Sequence, residues 1–80
     1  MKIVLVKWQD ATTFNQWAET AGVTESKLRV CYAAGFLVGK NKEQVTVALL
    51  TSEDTGSFSD WINIPAQSVL KITKLGGLNV

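Results

Sequence analysis

A chain of 80 residues is one domain, close to the smallest size at which a hydrophobic core sustains a fold alone. Its 46% apolar content argues against disorder, and its net charge of +1 argues against binding duplex nucleic acid and against mimicking it. With no histidine and one cysteine, Cys31, it lacks the usual general base, the usual zinc ligands and any internal disulfide, so neither an enzyme nor a cofactor is expected.

At the start, the apolar run Ile3–Val6 is too short for a signal-peptide core or a membrane span. A complete, cytoplasmic chain with no membrane partner is the expectation. Ile3 to Trp8 reads as the first strand, with Val4, Val6 and Trp8 on one face and Ile3, Leu5 and Lys7 on the other. Asp10 to Lys27 is the only long connection. Within it, Phe14, Trp17, Ala18 and Ala21 have amphipathic helical spacing, Thr13 and Gln16 that of a capping box, and Gly22 sits where helices end. A short helix covering an open side of the fold is predicted, with an irregular loop anchored by two aromatics as the alternative.

Leu28 to Val38 alternates cleanly, and Leu28, Val30, Tyr32, Ala34, Phe36 and Val38 are assigned to the inner face. Arg29, Cys31, Ala33, Gly35 and Leu37 then point outward. Gly35 in mid-strand predicts a bulge or bend. Gly39–Glu43 is a polar turn, and the return strand Gln44–Thr51 places Val45, Val47 and Leu49 together. After the polar loop Ser52–Ser57, Phe58–Ile64 is the fourth strand. Pro65 removes a backbone donor and ends it, leaving room for one 3₁₀ turn before alternation resumes in the fifth strand, Leu70–Leu75. Gly76-Gly77 is expected to end regular structure, giving a domain over 1–75 and a tail over 76–80. The predicted core is Val4, Val6, Val30, Tyr32, Phe36, Val45, Val47, Ile62, Ile64 and Ile72.

Catalytic chemistry finds little to work with. Glu53-Asp54 reads as a solvated turn, Cys31 has no histidine to activate it, and Ser57 and Ser59 have no partner base. Gly76-Gly77 lacks the pattern of a phosphate loop. Aromatics carry more information. Trp8 and Trp17 fit inward faces, where packing is their ordinary role. Trp61 falls outward if Ile62 and Ile64 point in, and an exposed indole commonly marks a binding surface; packing on a loop or on Leu78–Val80 is its ordinary alternative. The outward faces also hold Ile3, Leu5, Cys31, Ala33 and Leu37, more apolar surface than a small monomer exposes, which predicts self-association unless the long connection covers it. Arg29, Lys40, Lys42 and Lys71 offer anion contacts, although isolated lysines are most often plain solvated charges.

The strand, Ile64-Pro65, short turn and strand resemble the end of an SH3-like barrel, and a small five-stranded SH3-like barrel with one short helix is the expected architecture. Three pieces, Val6-Lys7-Trp8-Gln9-Asp10, Ala34-Gly35-Phe36-Leu37-Val38 and Asp60-Trp61-Ile62-Asn63-Ile64-Pro65, resemble small proteins of tailed bacteriophages. That resemblance implies an accessory or anti-defence role in the host cytoplasm, such as sequestering a nucleotide signal or blocking a host factor. It brings no catalytic motif. The function expected is therefore a homo-oligomeric, non-catalytic protein that captures a small anionic ligand between subunits. Trp61 or Trp8 would stack on a base, and Arg29, Lys40 or Lys42 would meet phosphate. The rival is a module that docks on a host or phage protein; single-strand nucleic-acid binding fits less well with so small a net charge.

Overall fold

The computed structural model describes residues 1–10 and 28–78. It is mainly β. Strands β1 (Lys2–Asp10), β2 (Arg29–Lys40), β3 (Gln44–Thr51), β4 (Phe58–Pro65) and β5 (Val69–Gly77) form one antiparallel sheet in the order β4-β3-β2-β1-β5. Strands β2, β3 and β4 are a meander, and β5 returns to the free side of β1. No ladder joins β4 to β5 among the described residues, so the sheet is open. The helix predicted on Phe14, Trp17, Ala18 and Ala21, with its Thr13–Gln16 cap and Gly22 end, lies outside the described residues.

Local chemistry sets the turns. Between β2 and β3 the Asn41 Oδ1 accepts from the amides of Glu43 (2.8 Å) and Gln44 (2.9 Å), the side-chain-to-backbone pairing that makes asparagine a turn residue. Between β3 and β4, the Ser52 amide donates to the Ser57 carbonyl (2.9 Å) and Gly56 donates to Ser52 (2.8 Å). Gly56 has φ +66°, in the left-handed region that glycine enters without a steric cost. Pro65 closes β4, and Ala66–Ser68 is the single 3₁₀ turn that the proline spacing predicts. Its first amide, Ala66 N, donates to the Glu43 carbonyl (2.9 Å), tying this corner to the β2–β3 turn.

The strands run further than predicted. β1 gains Lys2, Gln9 and Asp10, while β2 takes in Gly39 and Lys40 and stops short of Leu28. β5 spans Val69 to Gly77, so Gly76 and Gly77 are paired strand residues opposite Ile3 and Lys2. The pairing continues one step beyond, where the Met1 amino group donates to Leu78 O (2.7 Å) and Leu78 N to Met1 O (2.8 Å). Glycine's lack of a side chain did not end the ladder because β1 supplied a partner for its backbone.

Val4, Val6, Val45, Val47 and Ile64 are the buried core, with Trp8, Ala33, Leu37, Val69 and Ile72 packed against it. In β2 the predicted parity is reversed. Val4 is opposite Gly35, Val6 opposite Ala33 and Trp8 opposite Cys31, and directly opposed residues share a face. Cys31, Ala33, Gly35 and Leu37 therefore face the core, whereas Val30 and Tyr32 are exposed and Phe36 is half-buried on the outer face. Gly35 explains the choice. A Cβ built there would run into the Ala48 carbonyl oxygen and lie 3.0 Å from a Val47 methyl, so β3 passes too close for a larger residue. The bulge expected at Gly35 occurs instead at Val38, the extra residue between the Leu37–Val47 and Gly39–Thr46 pairs. Ile62 shares a face with Val47 yet is 42% exposed, because β4 is an edge strand with no paired neighbour beyond it among the described residues.

Candidate functional site

Trp61 sits in the middle of β4, with its parity fixed by pairing to Ala48. It is 59% exposed, on the face opposite the core residue Ile64. Just before it, Asp60 has φ +55°, a conformation that costs a non-glycine residue about 1–2 kcal/mol. Aspartate bears that cost better than most residues because of its short polar side chain. Leu49 and Asp60 drop out of the ladder between the Ala48–Trp61 and Leu50–Ser59 pairs, so β4 is irregular directly beside the indole. Val38, Thr46, Phe58 and Trp61 line an open depression of about 270 Å³.

One row of directly opposed residues crosses the whole outer face: Gly76, Ile3, Phe36, Ala48 and Trp61, one from each strand. Phe36 and Ile3 are half-buried, while Ala48 is fully buried. Along the same face, next to Trp61, lies a polar border. The Thr46 hydroxyl donates to Asn63 Oδ1 (2.7 Å), and the Gln44 amide nitrogen lies 3.3 Å from Thr46 Oγ1 and 3.4 Å from Asn63 Oδ1. An apolar centre with a polar rim is the usual anatomy of a binding surface.

The other expected ligand contacts do not join Trp61. Trp8 is half-buried against the core, on the opposite face of the sheet. Arg29 is exposed at the first position of β2, opposite Asp10. Lys40 is exposed at the last position of β2, opposite Val45, and Lys42 is exposed in the turn that follows. A strand of twelve residues is roughly 36 Å long if straight, so Arg29 and Lys40 stand at opposite ends of the sheet. Cys31, predicted outward, is a half-buried free thiol on the core face opposite Trp8. Of the apolar set expected at an interface, Ile3 and Leu5 are on the outer face, whereas Ala33 and Leu37 pack on the core.

A second group on the outer face is more compact. Lys71, Lys7 and Tyr32 are directly opposed across β5, β1 and β2. The sequence pattern presents Lys71 as a solvent-facing cation and Lys7 as outward by parity, but puts Tyr32 in the core. What brings the three together is register between distant segments, which no local pattern encodes.

Among the described residues, no group of three or more Cys, Asp or Glu is gathered in a way that would hold a metal ion, and no helix is long and apolar enough to cross a membrane. Compared with family models, with curated proteins and with solved structures, the chain matches none of them.

Proposed function

We propose that this chain is a non-catalytic binding protein built as an SH3-like barrel, and that copies of it join through the outer face of the sheet. The barrel reading is supported by the strand order, with β2–β4 as a meander and β5 returning beside β1 after one 3₁₀ turn. Close approach of β3 to Gly35 is the kind of tight curl that such barrels need. The kinship with bacteriophage proteins rests on the three sequence pieces alone.

The observation that carries the binding reading is the row Ile3–Phe36–Ala48–Trp61, extended by Val38 and Phe58. Among the described residues six hydrophobics are buried and twelve large ones are exposed, with Val30, Tyr32 and Trp61 on the outer face among them, more than a self-sufficient small domain needs. A second copy is the occupant that fits best. At a net charge of +1 two copies repel one another weakly, and the Gln44–Thr46–Asn63 border offers donors and acceptors that a copy of itself can match.

Sedimentation velocity over a wide concentration range tests this, on the native chain and on Trp61→Ala. The native chain should sediment as a dimer or larger, and Trp61→Ala should shift toward the monomer with a native circular dichroism spectrum, its thermal midpoint matching that of the native chain at concentrations where both are monomeric. A native chain that stays monomeric at every concentration overturns self-association. The same face would then belong to a different protein, the rival reading.

A further inference from the structure

On the outer face Lys71 is directly opposite Lys7, and Lys7 is directly opposite Tyr32. Directly opposed side chains stand about 5 Å apart at Cβ, and like charges so placed destabilise a sheet. The flanking rows, Thr73–Leu5–Ala34 on one side and Gln9–Val30 on the other, add no carboxylate to offset the two ammonium groups. Asp10 is the acidic residue of these strands, but it is opposite Arg29 and has the other parity.

The ladder is broken at this point. Leu70 is the extra residue of β5 between the Trp8–Val69 and Lys7–Lys71 pairs, and a bulge of this kind re-aims the side chains beside it. Tyr32 is 61% exposed, so its ring is open to a ligand. Its neighbour along the face, Ala34, is also exposed and is too small to cover the ring. Thr73 adds a hydroxyl to the same face, next to Lys71. Like charges at directly opposed strand positions are a cost to the sheet that a bound anion removes. An aromatic ring one strand away supplies a surface for a planar group attached to that anion.

We infer that the Lys71–Lys7–Tyr32 row is a site for a free nucleotide. Lys7 and Lys71 hold the phosphate, the Thr73 hydroxyl donates to it, and Tyr32 stacks on the base. All four residues come from one subunit, and Lys7 lies four residues along β1 from Ile3, so the site stays open when copies join through the Ile3–Phe36–Ala48–Trp61 row. A mononucleotide is favoured over a nucleic-acid strand because a chain of net charge +1 has no basic track to follow a phosphate backbone.

Calorimetric titration with AMP, adenosine and inorganic phosphate tests the assignment, with the thermal midpoint measured alongside. AMP should bind at least about tenfold more tightly than either fragment, since stacking and phosphate contact are both needed. Lys71→Gln should weaken AMP about tenfold and lose the stabilisation by phosphate. Without ligand, its midpoint should equal or exceed that of the native chain, because the lysine repulsion is gone. Tyr32→Leu should respond to phosphate as before but bind AMP no better than phosphate, while Lys42→Gln should behave as the native chain. The inference fails if AMP binds no better than phosphate, or if Lys71→Gln retains native affinity and phosphate stabilisation. It fails equally if Lys42→Gln loses as much as Lys71→Gln, or if an oligonucleotide binds with a footprint longer than one nucleotide.

Discussion

The two faces of β2 differ in a way that their hydrophobicity misrepresents. One face carries Val30, Tyr32, Ala34 and Phe36, the other Cys31, Ala33, Gly35 and Leu37. The first set is bulkier, and burial by transfer energy alone would put it inside. The second set is inside. Where β3 crosses Gly35 there is no space even for a Cβ, so the face with the smaller residues is the one the core admits. Packing density outranks hydrophobicity when the two disagree, because a close-packed interior has no room for a misplaced side chain. The bulky face is left outward, and an outward face of that composition is a surface waiting for contact.

The strongest way to break this comparison is to put volume on both faces of β2 at neighbouring positions. Gly35→Val should cost about 3 kcal/mol or abolish folding, because overpacking here pushes directly against backbone. Ala34→Val, one residue away and exposed, should change stability by no more than about 0.5 kcal/mol. Denaturant melts of the two variants give the answer. Equal costs would mean that the inner face is no more crowded than the outer one. The next largest effect is expected at Val47, which is 3% exposed: Val47→Ala should lose about 2 kcal/mol through lost burial and a residual cavity. An unchanged denaturation midpoint for that variant would remove β3 from the core.

Much of the fold was legible because turn chemistry marks the strand ends. Asn41, Gly56 and Pro65 each act within a few residues of themselves, so the β2–β3–β4 meander and the 3₁₀ turn follow from local sequence. Core parity was legible at Val4 and Val6, at Val45 and Val47 and at Ile64, but Leu49, grouped with Val45 and Val47, is exposed and Ala48, of the other parity, is buried. It failed in β2 because both faces are apolar, and a strand with two apolar faces does not declare which one is buried. The exposure of Trp61 followed from its parity relative to Ile64. The Lys71–Lys7–Tyr32 row did not follow from anything local, since it depends on the β1–β5 register and on a bulge at Leu70. Trp8 and Trp61 could not be placed on one site by composition, and the sheet puts them on opposite faces.

Trp61 sharpens the comparison in a different measurement. Trp61→Ala should weaken association between copies by about 2 kcal/mol, the scale of an aromatic hot spot, while stability of the subunit barely moves. A variant that unfolds instead would make the indole a structural residue of β4. Smaller still is the expected cost of Asn41→Ala, about 1 kcal/mol, from two backbone amides that lose their acceptor but remain open to water. A loss of several kcal/mol there would mean that the β2–β3 turn is sealed from solvent, contrary to its exposed residues.

The finest test replaces one methyl by a hydroxyl on each face. Valine and threonine have nearly the same shape and both favour strands, so Val→Thr leaves volume and propensity almost untouched. What it changes is the need for a hydrogen-bond partner. At Val45, 2% exposed and clustered with Val4, Val6, Val47 and Ile64, the new hydroxyl is shut off from water. Val45→Thr should therefore cost about 1–3 kcal/mol, the range for burying an unpartnered polar group. At Val30, 45% exposed and opposite Gln9, the hydroxyl meets water and a polar neighbour, and Val30→Thr should stay within about 0.5 kcal/mol of the native chain. The pair isolates burial from size, because each variant serves as the volume control for the other. If Val30→Thr proves as costly as Val45→Thr, then Val30 is covered in solution, and Tyr32 beside it on the same face is not open to a nucleotide.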